Sequence, residues 1–176
     1  MKVQIIYASR SGSTEKVANA IYDAIEEEKS IHDLRDGIPV LDGDIIIAGY
    51  WGTSGGPDKQ TQEFLRTIQN KAVGIFATLG YYADSVHAFD TVQKGVELVK
   101  DTNEVIGSYV CNGHVARELK KDCNPEKPTE QKQIRWEILE SHPSRAECTL
   151  AAERFRERIT LYRRCRTLGI PFSPVL

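Results

Sequence analysis

Six consecutive residues, Ser9-Arg10-Ser11-Gly12-Ser13-Thr14, combine four hydroxyls, one cation and one glycine. They follow a short apolar run and precede a helical pattern. That combination is the chemistry of an anion site. The first N–H groups of a helix have no partner within it and point outward, and the helix dipole favours negative charge there. Hydroxyls add donors, and glycine lets the backbone turn tightly and come close to a ligand. The loop has neither the Gly-Lys-Ser/Thr of a triphosphate-binding loop nor the three glycines of a dinucleotide fingerprint. With no lysine inside it, a monophosphate suits it better than a triphosphate. A cluster of helix-capping serines has the same composition, so the loop by itself leaves both readings open.

Two further loops carry aromatic rings. Tyr50 and Trp51 precede Gly52-Thr53-Ser54-Gly55-Gly56-Pro57, and Thr78-Leu79-Gly80 precede Tyr81 and Tyr82. Large aromatic side chains on loops are costly unless they cover something flat or apolar. Each alone reads as a packing residue. Placed above the same sheet edge as the anion loop, together they suggest a planar ring between two walls. A ring joined to a monophosphate describes FMN. No residue set reads as catalytic. His87, one turn into a helix, reads as a surface residue, and Asp84 reads as a helix cap. Cys111, His114 and Cys123 could offer three metal ligands. A fourth is not evident, and a free cysteine is commonly a small buried hydrophobe, so no metal is expected.

Strands must precede these loops and helices must follow them. Segments 3–8, 44–50, 72–78 and 104–110 are short and β-rich, and 30–34 reads as a brief edge strand. Val17, Ala18, Ile21, Ala24 and Ile25 recur at helix spacing over 14–28. Asp58 reads as the cap of a helix through Phe64, Leu65 and Ile68, and a third helix ends near Val99. Residues 1–110 therefore read β-α-β-β-α-β-α-β, which predicts a parallel sheet covered on both faces. Ligands of such sheets bind beyond the C-terminal strand ends, near a reversal of strand order. The loops 9–14, 50–57 and 78–85 all belong there. Beyond 111 the texture changes. Residues 116–121 read as a short helix, and Asn124-Pro125-Glu126-Lys127-Pro128 as a break. Thr129 reads as the cap of a helix to about Leu139, and His142-Pro143-Ser144 as a second break. Residues 145–166 read as a long helix with Leu150, Phe155, Ile159 and Tyr162 apolar, and Pro174 marks a loose tail.

A chain of 176 residues suffices for one domain with a real core. A single domain is expected, with a core over 1–110 and a helix-rich part over 111–176. No apolar run approaches the roughly 18 residues needed to cross a membrane, and no signal-peptide cleavage region is evident. A cytoplasmic protein without membrane insertion is the expectation. The net charge of −2 hides an asymmetry: 1–110 carries −6 and 111–176 carries +4. The acidic part argues against a nucleic-acid ligand. The basic part mixes its cations with Glu, as solvated helix faces do.

The hexapeptide Ser9-Arg10-Ser11-Gly12-Ser13-Thr14 resembles the flavodoxin phosphate loop, Thr/Ser-x-Thr/Ser-Gly-x-Thr, in sequence and in its place after the first strand. Segments 6–20, 45–64 and 75–98 carry the resemblance, which covers about 1–110 in element order. The chain is most similar to a branch of short flavodoxin-family proteins with Gly-Tyr-Trp after the third strand and Thr-Leu-Gly after the fourth. That branch includes a protein that accompanies a bilirubin reductase. The resemblance implies a flavodoxin-like α/β fold: a five-stranded parallel sheet of order 2-1-3-4-5, helices on both faces, and a helical C-terminal extension. It implies FMN, with Ser9, Ser11, Ser13, Thr14 and the backbone amides around Gly12 on the phosphate and Arg10 at the rim. Tyr50, Trp51, Gly52 and Thr53 would line one side of the isoalloxazine, and Thr78, Leu79, Gly80, Tyr81 and Tyr82 the other. Gly52 is the position where a backbone carbonyl would turn toward N5 of the one-electron-reduced flavin. The near-neutral charge, Arg10 and the insertion 111–142 depart from the family pattern. The helix 145–166 would take the place of the usual fifth helix.

The function so implied is electron transfer between redox partner proteins, a reductase as donor and an enzyme as acceptor, with FMN doing the chemistry. The acidic 1–110 surface would disfavour an anionic reduced ring and keep potentials low. The fold also hosts enzymes. An FMN-dependent reductase using NAD(P)H or an organic acceptor is therefore one alternative. A cofactor-free accessory subunit, interacting through Trp136 and the arginines of the helical tail, is another.

Overall fold

The computed structural model describes residues 1–116, 118, 120 and 129–173. Its strands are β1 (Lys2–Tyr7), β2 (Glu28–Asp33), β3 (Ile45–Trp51), β4 (Ala72–Leu79) and β5 (Glu104–Asn112). Its helices, among the described residues, are α1 (Ser13–Ala24), α2 (Lys59–Thr67), α3 (Val86–Glu97), α4 (Glu130–Ile138) and α5 (Arg145–Leu168). The strands pair in parallel in the order β2-β1-β3-β4-β5, as expected. β1, β3 and β4 are buried along nearly their whole length. Helices on both faces leave such strands no polar side, so they read as apolar runs.

Their side chains still alternate between two cores. Val3, Ile5, Ile47 and Phe76 face one, packed with Val17 and Ile21 of α1 and Phe155, Ile159 and Tyr162 of α5. Ile6, Ile46, Ala48, Tyr50 and Ile75 face the other, with Phe64 and Leu65 of α2 and Val92 and Val96 of α3. α5 does serve as the fifth helix. Its Phe155 meets Phe76 edge-on at 6.2 Å and lies over Gly74, where an added Cβ would come within 2.6 Å of the Phe155 ring.

Capping decides the helix ends. The carboxylate of Asp58 accepts from the Thr61 N–H at 3.2 Å, and the Thr129 hydroxyl from the Lys132 N–H at 3.3 Å, as the sequence suggests. Ser85, and not Asp84, caps α3, accepting from the Ala88 N–H at 3.1 Å. α1 ends at Ala24, short of residue 28. The Lys29 ammonium donates to the carbonyls of Tyr22 and Ile25 at 2.7 Å each, and so satisfies that helix end as the chain turns into β2. The break expected over 124–128 and the tail at Pro174 lie outside the described residues, as does part of the helix expected over 116–121.

Candidate cofactor site

The sheet order reverses between β1 and β3, and a crevice opens there beyond the strand ends. The loop leaving β1 forms its floor. Gly12 stands just before α1 with φ 87° and ψ −9°, a left-handed conformation that suits glycine. A Cβ there would meet nothing within 4 Å, so the demand is conformational and not one of space. The Gly12 N–H donates to the Ser9 hydroxyl at 3.1 Å, and the Ser11 and Ser13 hydroxyls lie 3.1 Å apart. No side chain caps α1, so its N-terminus keeps its affinity for an anion. Thr14 departs from expectation. It is fully buried, and its hydroxyl bonds that of Thr78 at 3.0 Å. Thr14, expected on the phosphate, and Thr78, expected along the ring, bond each other and tie the anion loop to the end of β4.

Arg10, Ser11, Trp51, Gly52, Thr78 and Leu79 line one cavity of about 50 Å³, closed by residues 113–116. The Gly52 N–H is held by the Thr78 carbonyl at 2.8 Å. The Arg10 guanidinium lies 5.5 Å above the Trp51 ring centre, drawn by the ring's negative face. Tyr50 is not a ring wall. Its side chain is fully buried on the opposite face from Trp51, and its hydroxyl donates to the Thr91 carbonyl at 2.8 Å. Thr53 pairs with Gly56 in a tight turn and lines a separate groove with α2 and α3. Tyr81 and Tyr82 stand one step outward and line a cavity of about 370 Å³ with α4. Tyr81 meets Tyr82 and His87 edge-on at 5.6 Å each and lies 4.4 Å from the Arg135 guanidinium. Gly80 is where Val115 packs; an added Cβ would fall 2.3 Å from its Cγ2.

The residues present fit FMN in donor chemistry. The Gly12 turn with its serines suits a phosphate, and Trp51 and Leu79 suit a flat ring. A cavity of about 50 Å³ is far below the roughly 300 Å³ of an ordinary ligand pocket. Residues 113–116 close that cavity, so a flavin ring could enter it only if they moved.

Those residues escaped the reading of the sequence. The His114 N–H donates to the Ser13 hydroxyl at 3.2 Å, and its Nδ1 lies 3.1 Å from the same oxygen. Lys16 reaches over to donate to the Pro143 carbonyl at 2.6 Å. Glu147 anchors this strap from behind, accepting from the N–H groups of Asn112 at 3.1 Å and Ser144 at 2.6 Å, with His142 Nδ1 at 2.6 Å. The available signal was position: the strap follows β5 at the same sheet edge as the other loops. Cys111, once a metal candidate, is buried in the core. Among the described residues no group of three His, Cys, Asp or Glu is placed to hold a metal ion, and Cys123 lies outside them.

Burial opposes ionisation of Glu147, but its bonds from Ser144, His142 and Asn112 outweigh that and hold the carboxyl below the usual range. A carboxyl depressed in the folded state stabilises it above the unfolded value of roughly 4.3, and loses that effect as pH falls through the folded value. Glu147→Gln should therefore cost about 1–2 kcal/mol at neutral pH in urea denaturation. The gap to wild type should narrow below about pH 4. A gap constant down to pH 3 would show that the charge has no part in it.

The family model described as a flavodoxin domain matches residues 4–156. The flavodoxin-like domain-containing protein BilS of Clostridioides difficile (strain CD3) is 36% identical over 124 residues, which cover 68% of this chain and 70% of that protein. Oxidised flavodoxin 2 from Bacillus cereus superposes with a TM-score of 0.59 at 19% identity, over 90% of this chain and 99% of that one. A flavoprotein in complex with FMN from Lactobacillus acidophilus NCFM gives a TM-score of 0.50 at 21% identity, over 62% and 92%. At those identities the two structures speak for the fold alone. With its sheet order, its anion loop at the strand-order reversal and the family match over most of its length, the chain belongs to the flavodoxin family.

Proposed function

We propose that this chain binds FMN at the β1–β3 crevice and carries electrons between redox partner proteins. The uncapped N-terminus of α1 behind left-handed Gly12, set beside Trp51, carries the reading. Ser9, Ser11, Ser13 and the backbone amides of the loop would hold the phosphate, and Trp51, Gly52, Leu79 and Gly80 would flank the ring. FMN supplies the one- and two-electron chemistry when bound. The chain binds it, orients it and keeps water from part of it. Among the side chains lining the cavity, His114 has the one ring that could move a proton, and its Nδ1 is already engaged by Ser13. That favours a carrier over a reductase with its own acid–base apparatus.

The partners of this reading are a donor reductase and an acceptor enzyme. The sequence resemblance makes a bilirubin reductase the first acceptor to assay. The three described cysteines are buried and free, which suits a reducing cytoplasm. No helix among the described residues is long and apolar enough to cross a membrane. We also read 1–176 as one folding unit, because α5 shares a buried cluster with α1, β1 and β4.

Titration of purified apoprotein with FMN, followed by quenching of flavin fluorescence, tests the proposal. Saturable uptake of one FMN and a visible spectrum bleached reversibly by dithionite are expected. Riboflavin, which lacks the phosphate, should bind at least about tenfold more weakly. A colourless protein that takes up no FMN would overturn the reading. NAD(P)H oxidation by the loaded protein faster than by free flavin would replace it with the reductase.

A further inference from the structure

We infer that Arg10 and Arg135 form a pair of uncompensated cations beside the crevice, and that they raise the reduction potential of a ring held there. The inference rests on the FMN site proposed above. The two residues come from unrelated parts of the chain. Arg10 belongs to the anion loop, and Arg135 to α4 in the insertion that departs from the family pattern. Each nevertheless stands over an aromatic of the crevice region, Arg10 at 5.5 Å from the Trp51 ring centre and Arg135 at 4.4 Å from that of Tyr81.

Neither has a counter-charge, a condition shared among the described residues with Arg66, Arg145, Arg154, Arg156, Arg158 and Arg164. What sets Arg10 and Arg135 apart is that the rings they cover end β3 and follow β4. Arg35 pairs with Asp33, Arg163 with Glu27 and Arg166 with Glu104. Neither Arg10 nor Arg135 enters an ion pair among the described residues. Arg135 Nε is buried without a hydrogen-bond partner. Glu130 lines the same cavity as Arg135, and among the described residues no ion pair joins them. Both arginines are thus held by ring faces, which leave their charge unneutralised, where a carboxylate would cancel it.

Reduction of a bound ring adds negative charge. A fixed cation nearby lowers the free energy of that charge, and more so where water is partly excluded. The electrons come from the reductant and any protons from solvent; the arginines exchange neither. The pair acts against the field of the acidic 1–110 segment. The low potential that the segment's net charge of −6 would imply is therefore lifted locally.

Midpoint potentials of the FMN-loaded protein, measured against reference dyes during reductive titration, test the inference. Arg10→Gln and Arg135→Gln should each lower the potential, equivalent to a several-fold loss in preference for reduced over oxidised FMN. The double variant should lower it further, by close to the sum. Arg→Lys at either site should retain most of the wild-type value, and the Gln shifts should shrink at high salt. Gln variants with unmoved potentials would overturn the inference, as would Lys variants that fall as far as Gln. Arg10 is exposed, so its Gln variant decides the matter even if Arg135→Gln disturbs α4. FMN affinity measured on the same samples separates the two levels. No uptake by the wild type would remove the FMN reading together with the pair. Normal uptake with unmoved potentials would remove the pair alone.

Discussion

Gly12→Val should cost at least about a hundredfold in FMN affinity while lowering stability by only about 1–2 kcal/mol. Two features separate those effects. Gly12 has φ 87°, where a β-branched residue is strained, so the peptide must tilt or carry the strain. A Cβ at this position meets nothing within 4 Å, so the free protein has room for the side chain. The loss therefore falls on the ligand. Tilting the Gly12 peptide breaks its bond to Ser9 and turns neighbouring N–H groups away from a common point. Charge-assisted hydrogen bonds of about 1.5–3 kcal/mol each are what a phosphate would lose. Arg10→Ala should change FMN affinity only modestly, since that side chain lies on the Trp51 ring. Flavin fluorescence titration and thermal melts of both variants check this. Equal and negligible losses would place the site elsewhere.

Phe155→Ala should destabilise the fold by about 3–5 kcal/mol. The ring is 1% exposed, meets Phe76 edge-on at 6.2 Å and fills the space above Gly74. Truncation leaves a hole between two rigid elements, a helix of 24 residues and the centre of the sheet, and neither can close it cheaply. Leu150→Ala on the same helix is the control, because that side chain is 43% exposed and should cost well under 1 kcal/mol. Urea denaturation reads both. A loss below about 1 kcal/mol at Phe155 would show that α5 is not part of the core.

The parallel sheet was legible because buried parallel strands are apolar throughout and helices alternate with them, whereas its strand order followed only from the resemblance carried by the loop over 9–14. Cap residues such as Asp58 and Thr129 were legible because their bonds are local. The site was legible only at its floor. Tyr50 and Trp51 are adjacent on one strand, so their side chains must leave opposite faces, and at most one can line a given crevice. The pattern of residues names the pair but leaves open which member turns inward; the register of β3 sends Tyr50 into the core beneath α3. Thr14 and Thr78 are 64 positions apart and satisfy each other, a pairing no local pattern announces. The strap is more remote still: His114 reaches Ser13 across 101 positions, and Arg135 meets Tyr81 from the insertion. Such contacts follow from topology, after the strands are placed.

The position of α5 also has a meaning during synthesis. Its buried side chains complete the face of the sheet formed by Ile5, Ile47 and Phe76, yet it is translated after all five strands. A ribosome therefore emits β1 to β5 with one apolar face incompletely covered. That face can close only when residues 145–168 emerge, so the decisive contacts are among the last to become possible. A chain lacking α5 would leave the Ile5, Ile47 and Phe76 face without the Phe155, Ile159 and Tyr162 side chains that cover it.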